Sequence, residues 1–212
     1  MIIEYFIGGA SDNNDIASKI IGSTQIMDRV RMNRASANKD IVTYYGGHEE
    51  KDRLLMNIIR LAKNNEVFTL NLTGHSWGGA AAMDLTNSLE KEGILVNELI
   101  TLDPVSLFPF LPVKNFRYWV NIYQAQGLLD YISTIPVAGN LIGGLLSTLT
   151  TPLPSHTLSD AIATIGGQLG AQRNAVNISC NLDHANAWGM YTIARQKMDS
   201  LVVNRSKWVV TS

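Results

Sequence analysis

Apolar positions along this chain switch between short unbroken runs and runs spaced by three and four, and each switch marks an element. Residues 2–7 (Ile2, Ile3, Tyr5, Phe6 and Ile7 around Glu4) form an apolar, β-rich run that stops at Gly8-Gly9-Ala10. That pattern predicts a buried strand opening into a loop, with Ser11-Asp12-Asn13-Asn14 as turn or cap residues. Residues 15–34 are spaced for a helix with Ile16, Ile20, Ile26 and Val30 inward, interrupted near Gly22-Ser23. Residues 40–45 predict a second strand closed by Gly46-Gly47. Leu54, Leu55, Ile58, Ile59, Leu61 and Ala62 then recur at helical spacing, so 49–64 is an amphipathic helix. A strand over 67–73, a helix over 80–91 and a strand over 98–102 follow, the last running into Asp103-Pro104. Pro109 and Pro112 keep 105–115 irregular, and 116–123 is aromatic and β-branched enough for a fifth strand.

The stretch 124–172 departs from this rhythm. Between Arg117 and Arg173 there is no Lys or Arg, and the only charged side chains are Asp130 and Asp160. Pro136, Pro152 and Pro154 break it into short pieces, with helical spacing near 139–149 and 159–169. It reads as an apolar insertion after the fifth strand, either a lid over a site or a small subdomain buried against the sheet. Residues 175–179 suggest a last short strand. A closing helix spans 185–198, with Trp188, Tyr191, Ile193 and Ala194 as its packing side, and the tail 201–212 reads as a short strand or coil. Strands alternating with helices predict an α/β protein, one domain over 1–212, with a parallel, doubly wound sheet of about five to six strands.

Composition narrows the classes of function. With 212 residues, 46% hydrophobic and 17% charged, the chain suits one sizeable core. A net charge of −1 gives no electrostatic footprint for nucleic acid. The local cluster Arg29, Arg31, Arg34 and Lys39 lacks interleaved aromatics and reads as a solvated face. A single cysteine, Cys180, excludes an intrachain disulfide and a cysteine metal cluster. The N-terminus carries no basic, apolar leader, so the expected location is cytoplasmic as synthesised, with export open only to a signal-independent route.

The chemistry concentrates in Gly74-His75-Ser76-Trp77-Gly78-Gly79, between a predicted strand and a predicted helix. This is the G-x-S-x-G pattern in the context a nucleophile elbow requires, with the serine on a sharp strand-to-helix turn. Glycines on either side let strand and helix approach where a Cβ would collide. A serine hydroxyl needs a general base, and the base needs an acid that fixes its tautomer. In such enzymes acid and base follow the serine in chain order. Of four histidines, His48 precedes the serine, and His75, inside the turn, is expected to point away from it. His184, in a loop before the last helix, is the favoured base, and His156, between the prolines and the helix-start residues of the insertion, the lesser one. Asp103, at the carboxyl end of its strand, is the favoured acid. Asp130 is the alternative acid, and Asp183 is badly placed to reach the ring beside it. The oxyanion donors expected are the backbone N–H of Trp77 and one from Gly9 or Ala10, facing the serine if the strands order 2-1-3-4-5.

Together, Tyr5-Phe6-Ile7-Gly8-Gly9-Ala10, the elbow, Thr101-Leu102-Asp103-Pro104-Val105 and Asp183-His184 resemble the lipase/esterase branch of the α/β-hydrolases. The Leu-Asp-Pro segment is similar to the acid-bearing strand end of pancreatic-type lipases. The resemblance spans residues 2–199 and implies Ser76 as nucleophile, Asp103 as acid and His184 as base. It implies an α/β-hydrolase-like sheet reduced at its N-terminal side, starting at what would be the third strand of the full fold. Trp77 stands where many lipases carry leucine. A looser likeness runs to lipase-type effectors of bacterial type VI secretion, which carry such elbows without a signal peptide.

The expected function is therefore a serine hydrolase acting on a carboxylic, lipid-like ester. A thioesterase and a non-catalytic binding protein on the same scaffold are the alternatives. The expected partner is the ester or lipid substrate, with transient contact at a membrane surface and no nucleic acid. Gly8-Gly9-Ala10 lacks G-x-G-x-x-G spacing, no P-loop exists, and His48-Glu49-Glu50 has no second histidine nearby, so neither cofactor nor metal is expected.

Overall fold

Ile2–Gly8 (β1) is apolar almost throughout because both of its faces are covered, as a strand inside a parallel sheet requires. The computed structural model describes residues 1–9, 25–64, 67–106, 110–124 and 168–209, with side chains to residue 203. After β1 come α1 (Ile26–Ala37), β2 (Ile41–Gly47), a 3-10 turn at His48–Glu50, α2 (Lys51–Lys63) and β3 (Thr69–His75). Then follow α3 (Trp77–Lys91), β4 (Val96–Leu102), β5 (Phe116–Gln124), β6 (Val176–Cys180) and α4 (Ala187–Val209). The six strands form one sheet in the order β2-β1-β3-β4-β5-β6, and every pair is parallel. The protein is thus α/β, with the strand order the site argument needs. The start of the expected first helix (15–24), most of the insertion, and Ala10, Asp130 and His156 lie outside the described residues.

Side-chain alternation splits the core in two. Ile3, Tyr5 and Ile7 of β1 join Leu54 and Ile58 of α2 and Leu85 and Leu89 of α3 on one face. Phe6 joins Met27 and Val30 of α1 and Met190, Tyr191, Ala194 and Met198 of α4 on the other. Pairings such as Ile7 with Gly74, His75 with Leu102 and Gln124 with Cys180 bring the carboxyl ends of the strands to one edge. Loops leaving that edge can therefore meet, although they are far apart in sequence.

Several boundaries and exposures differ from the sequence reading. The helix α3 starts at Trp77, directly after the serine, rather than at residue 80. Helix α4 continues through the tail to Val209, where a strand or coil was expected. Val202 and Val203 carry only a small helix penalty, and an established hydrogen-bond ladder outweighs it. Trp188, expected inward, is 47% exposed; the core positions are Met190, Tyr191, Ala194 and Met198. Residues 168–170 are not helical, and Gln168 instead makes an isolated antiparallel bridge to Val105.

The arginine cluster is not uniformly solvated either. Arg29 and Lys39 are exposed, but Arg31 pairs with Asp28, and Arg34 reaches the buried Glu4 of β1 at 3.2 Å. Glu4 also accepts from Thr73 (3.0 Å) and Tyr191 (3.2 Å). Burial pushes the Glu4 carboxyl above the usual carboxylate range, more strongly than Arg34 and Arg195 pull it down. Beside it, Arg195 of α4 holds Glu98 of β4 at 2.6 Å, and Asn71 donates to the same carboxylate oxygen at 3.0 Å. Removing one partner of such a pair strands the other charge, which costs about 3–5 kcal/mol. Arg195→Met should lower stability by an amount near that range in urea unfolding at pH 7. Adding Glu98→Gln should recover more than half of the loss. Equal stability of single and double variants would show that the pair carries no such coupling.

Candidate active site

Ser76 occupies the turn between β3 and α3 with φ 56° and ψ −128°, a conformation a non-glycine residue rarely adopts. Three contacts hold it there. Its N–H donates to the Leu102 carbonyl (3.0 Å), and its own carbonyl accepts from Gly79 (2.9 Å) and Val105 (3.1 Å). The flanking glycines explain how the turn fits. A Cβ on Gly78 would overlap the Ile7 carbonyl of β1, and one on Gly74 would overlap the Gly78 carbonyl. Backbone approaches backbone at these points, so no side chain can give way. A Cβ on Gly79 would stand 2.8 Å from Pro104 Cβ and 3.4 Å from the Gly74 carbonyl, so the helix start packs on the residue after Asp103 and on the end of β3.

Asp103 and His184 come from the same sheet edge. Asp103 follows β4 directly, with φ 44°, and its N–H donates to the Ile122 carbonyl at 2.7 Å. His184 follows β6 in the loop that leads into α4. Its Nδ1–H donates to Asp103 Oδ2 at 2.6 Å, and its Nε2 accepts from the Ser76 hydroxyl at 3.0 Å. All three residues are at least 95% buried. The sequence-favoured serine, aspartate and histidine are thus joined in one hydrogen-bonded chain across 108 and 81 residues. A carboxylate that accepts from Nδ1–H leaves Nε2 free to take the serine proton.

Two glutamines complete the carboxylate's surroundings, and neither carries a motif that marks it in the sequence. The Gln124 N–H donates to Asp103 Oδ1 at 3.2 Å, and Gln168 Nε2 donates to Oδ2 at 2.8 Å. Gln168 also donates to Gln124 Oε1 at 3.1 Å, and Gln124 Nε2 reaches the Leu182 carbonyl at 2.9 Å. Burial works to raise the Asp103 pKa. The hydrogen bond and charge of His184 and the Gln124 N–H outweigh it, so the carboxyl lies below its ordinary range. Asp103 is therefore an anion at neutral pH.

The remaining sequence candidates fall as follows. Gly9 abuts the serine, since a Cβ on it would stand 2.7 Å from Ser76 Cβ and 3.2 Å from Oγ. Trp77 is the first residue of α3, where the backbone N–H has no intrahelical acceptor. Its ring lies 5.7 Å from that of His48, so the end of β2 borders the helix start. Asp183 caps the loop by accepting from Ala185 N–H at 2.8 Å and does not join the chain of groups. His75 reaches the base rather than the serine: its Nε2 is 2.7 Å from the His184 carbonyl, and the two rings are 4.8 Å apart.

Among the described residues no group of three His, Cys, Asp or Glu is placed to hold a metal, and no helix is long and apolar enough to cross a membrane. No protein-family model matches the chain, and no curated protein matches it in sequence.

The turn geometry makes a direct stability prediction. Gly78→Ala must push α3 off β1, because the obstacle is a backbone carbonyl. Gly93, at φ 67° with open space around it, meets only the left-handed penalty of about 1–2 kcal/mol on Gly93→Ala. Urea unfolding should show Gly78→Ala losing several times more than Gly93→Ala, or failing to fold. Comparable losses would mean that the packing at Ile7 is not a constraint.

Proposed function

We propose that this chain is a serine hydrolase of α/β-hydrolase architecture that cleaves a carboxylic ester, with Ser76 as nucleophile, His184 as general base and Asp103 as the acid that orients it. The observation that carries the proposal is the buried chain Ser76 Oγ–His184 Nε2–His184 Nδ1–Asp103 Oδ2, at 3.0 and 2.6 Å, on a strained strand-to-helix turn. A plain glycine turn accounts for neither the strain at Ser76 nor the two hydrogen bonds that converge on His184.

In this mechanism His184 Nε2 takes the Ser76 proton as Oγ bonds to the ester carbonyl carbon. Asp103 stabilises the imidazolium that results. The negative oxygen of the tetrahedral intermediate takes the N–H of Trp77 and a donor from the loop beginning at Gly9. His184 then gives its proton to the departing alcohol, leaving an acyl group on Ser76. A water molecule, deprotonated by the same Nε2, attacks the acyl carbonyl; Oγ leaves with the proton, and the carboxylic acid departs.

The lipid-like substrate rests on sequence. A stretch without Lys or Arg from residue 118 to 172 offers no cation to a phosphate or carboxylate group, and its Leu, Ile and Gly content suits an apolar pocket wall. In the proposal membrane contact is weak for want of basic residues in this stretch.

A fluorophosphonate probe should label the wild type and not Ser76→Ala, and a wild type that stays unlabelled would leave a binding scaffold. Asp103→Asn should lower turnover by about 10⁴-fold, because the amide favours the wrong histidine tautomer. Hydrolysis of p-nitrophenyl esters should rise from acetate to decanoate. A flat or falling series with Ser76-dependent activity intact would replace the lipase with a short-chain esterase.

A further inference from the structure

We infer that His75 is a positioning residue for His184: it donates a hydrogen bond from the serine's own strand to the backbone of the base, and so fixes nucleophile and base relative to each other. This rests on the reading of Ser76 and His184 as nucleophile and base.

The loop 181–186 connects β6 to α4. It has no strand or helix of its own, and His184 is its one fully enclosed residue. Two side chains of the sheet hold its backbone carbonyls: Gln124 Nε2 donates to Leu182 (2.9 Å) and His75 Nε2 to His184 (2.7 Å). His75 and Ser76 are consecutive, so one short piece of β3 and its turn grips His184 twice. His75 takes the backbone oxygen and Ser76 the ring nitrogen. Asp103 supplies a third point at Nδ1. With oxygen, Nε2 and Nδ1 all located, the imidazole has little freedom to tilt away from the hydroxyl.

The chemistry of the contact fixes the state of His75. A carbonyl only accepts, so Nε2 of His75 carries the proton. The ring is 4 % exposed. The titratable groups acting on it are His184 and Asp103. Burial lowers its pKa most, the charge of His184 lowers it further, and the His184 carbonyl and Asp103 oppose them, leaving it at about 3. His75 is thus a neutral Nε2–H donor throughout the neutral range. When His184 becomes an imidazolium during acylation, the ring 4.8 Å away is uncharged and adds no repulsion. A serine hydrolase needs its base placed closely, since a misplacement of about 1 Å can cost about 10²-fold in rate.

Two measurements test this. Histidine ¹⁵N NMR on the wild type should show His75 as the neutral Nε2–H tautomer from pH 8 to pH 5, whether or not the protein is an enzyme. A His75 that titrates between pH 5 and 7, or that carries its proton on Nδ1, overturns the inference. The second measurement is the rate of fluorophosphonate labelling in His75→Leu and His75→Gln, with Tm followed in parallel. His75→Leu keeps the bulk and loses the donor, and should label about 10- to 100-fold more slowly. His75→Gln keeps a donor near the position of Nε2 and should regain most of the wild-type rate. A rate for His75→Leu within twofold of wild type, or a His75→Gln no faster than His75→Leu, overturns the positioning role. Should His75→Leu fail to fold, the NMR result and the His75→Gln rate still decide. A wild type that is not labelled at all removes the hydrolase reading itself, which is distinguishable from loss of labelling in the variants alone.

Discussion

The site depends on a place where main chain touches main chain. At Gly78 the first turn of α3 lies against the Ile7 carbonyl of β1, and at Gly74 the end of β3 lies against the same helix turn. This approach leaves Ser76 no ordinary backbone conformation. A strained residue of this kind costs about 1–3 kcal/mol and persists only where its surroundings over-determine it. The hydrogen bond that Ser76 N–H donates to Leu102, and those its carbonyl accepts from Gly79 and Val105, do so here. The consequence is a hydroxyl held at the sheet edge on a rigid support, with Gly9 close beside it.

The parallel sheet converts this local constraint into a site. Parallel strands end at a common edge, so the residues after β3, β4 and β6 arrive together without any local sequence link. Ser76, Asp103 and His184 are those residues. The Asp103 backbone, at φ 44°, is strained in the same sense as Ser76, and Gln124 and Gln168 tie its carboxylate from two further segments. Both glutamines are hydrogen-bonded to Asp103, and Gln168 donates to Gln124 as well.

Two buried polar systems share the sheet, and they differ in kind. In the middle of the α1/α4 face, Glu4 and Glu98 are set against Arg34 and Arg195, with Thr73, Asn71 and Tyr191 filling the remaining hydrogen bonds. In that arrangement each carboxyl faces a guanidinium, Glu4 at 3.2 Å from Arg34 and Glu98 at 2.6 Å from Arg195. At the edge, Asp103 is an anion that accepts from Nδ1–H of His184, and the other ring nitrogen of His184 faces the Ser76 hydroxyl. The first system is suited to fixing how the helices seat on the sheet. The second is suited to chemistry.

The sequence by itself determined the elements whose pattern is local. Apolar runs located the strands to within about two residues. The glycines around Ser76 located the turn, and position at a strand end and in the loop before the last helix, together with chain order, favoured Asp103 and His184 over their rivals. What it left undecided were contacts between residues that carry no shared pattern. Nothing in the spacing of His75 and His184, 109 residues apart, reveals that one ring supports the other's backbone. Gln124 and Gln168 are ordinary polar residues until the sheet edge brings both to Asp103. Arg34 looked like part of a solvated face because Glu4, its partner, sits in an apolar strand 30 residues earlier. The helix α4 outran its expected end because its hydrogen-bond ladder, with Met198 and Leu201 packed on the sheet, outweighed the weak preference of Val202 and Val203. Local periodicity fixes what each segment is; only packing at close range decides which side chains finally meet.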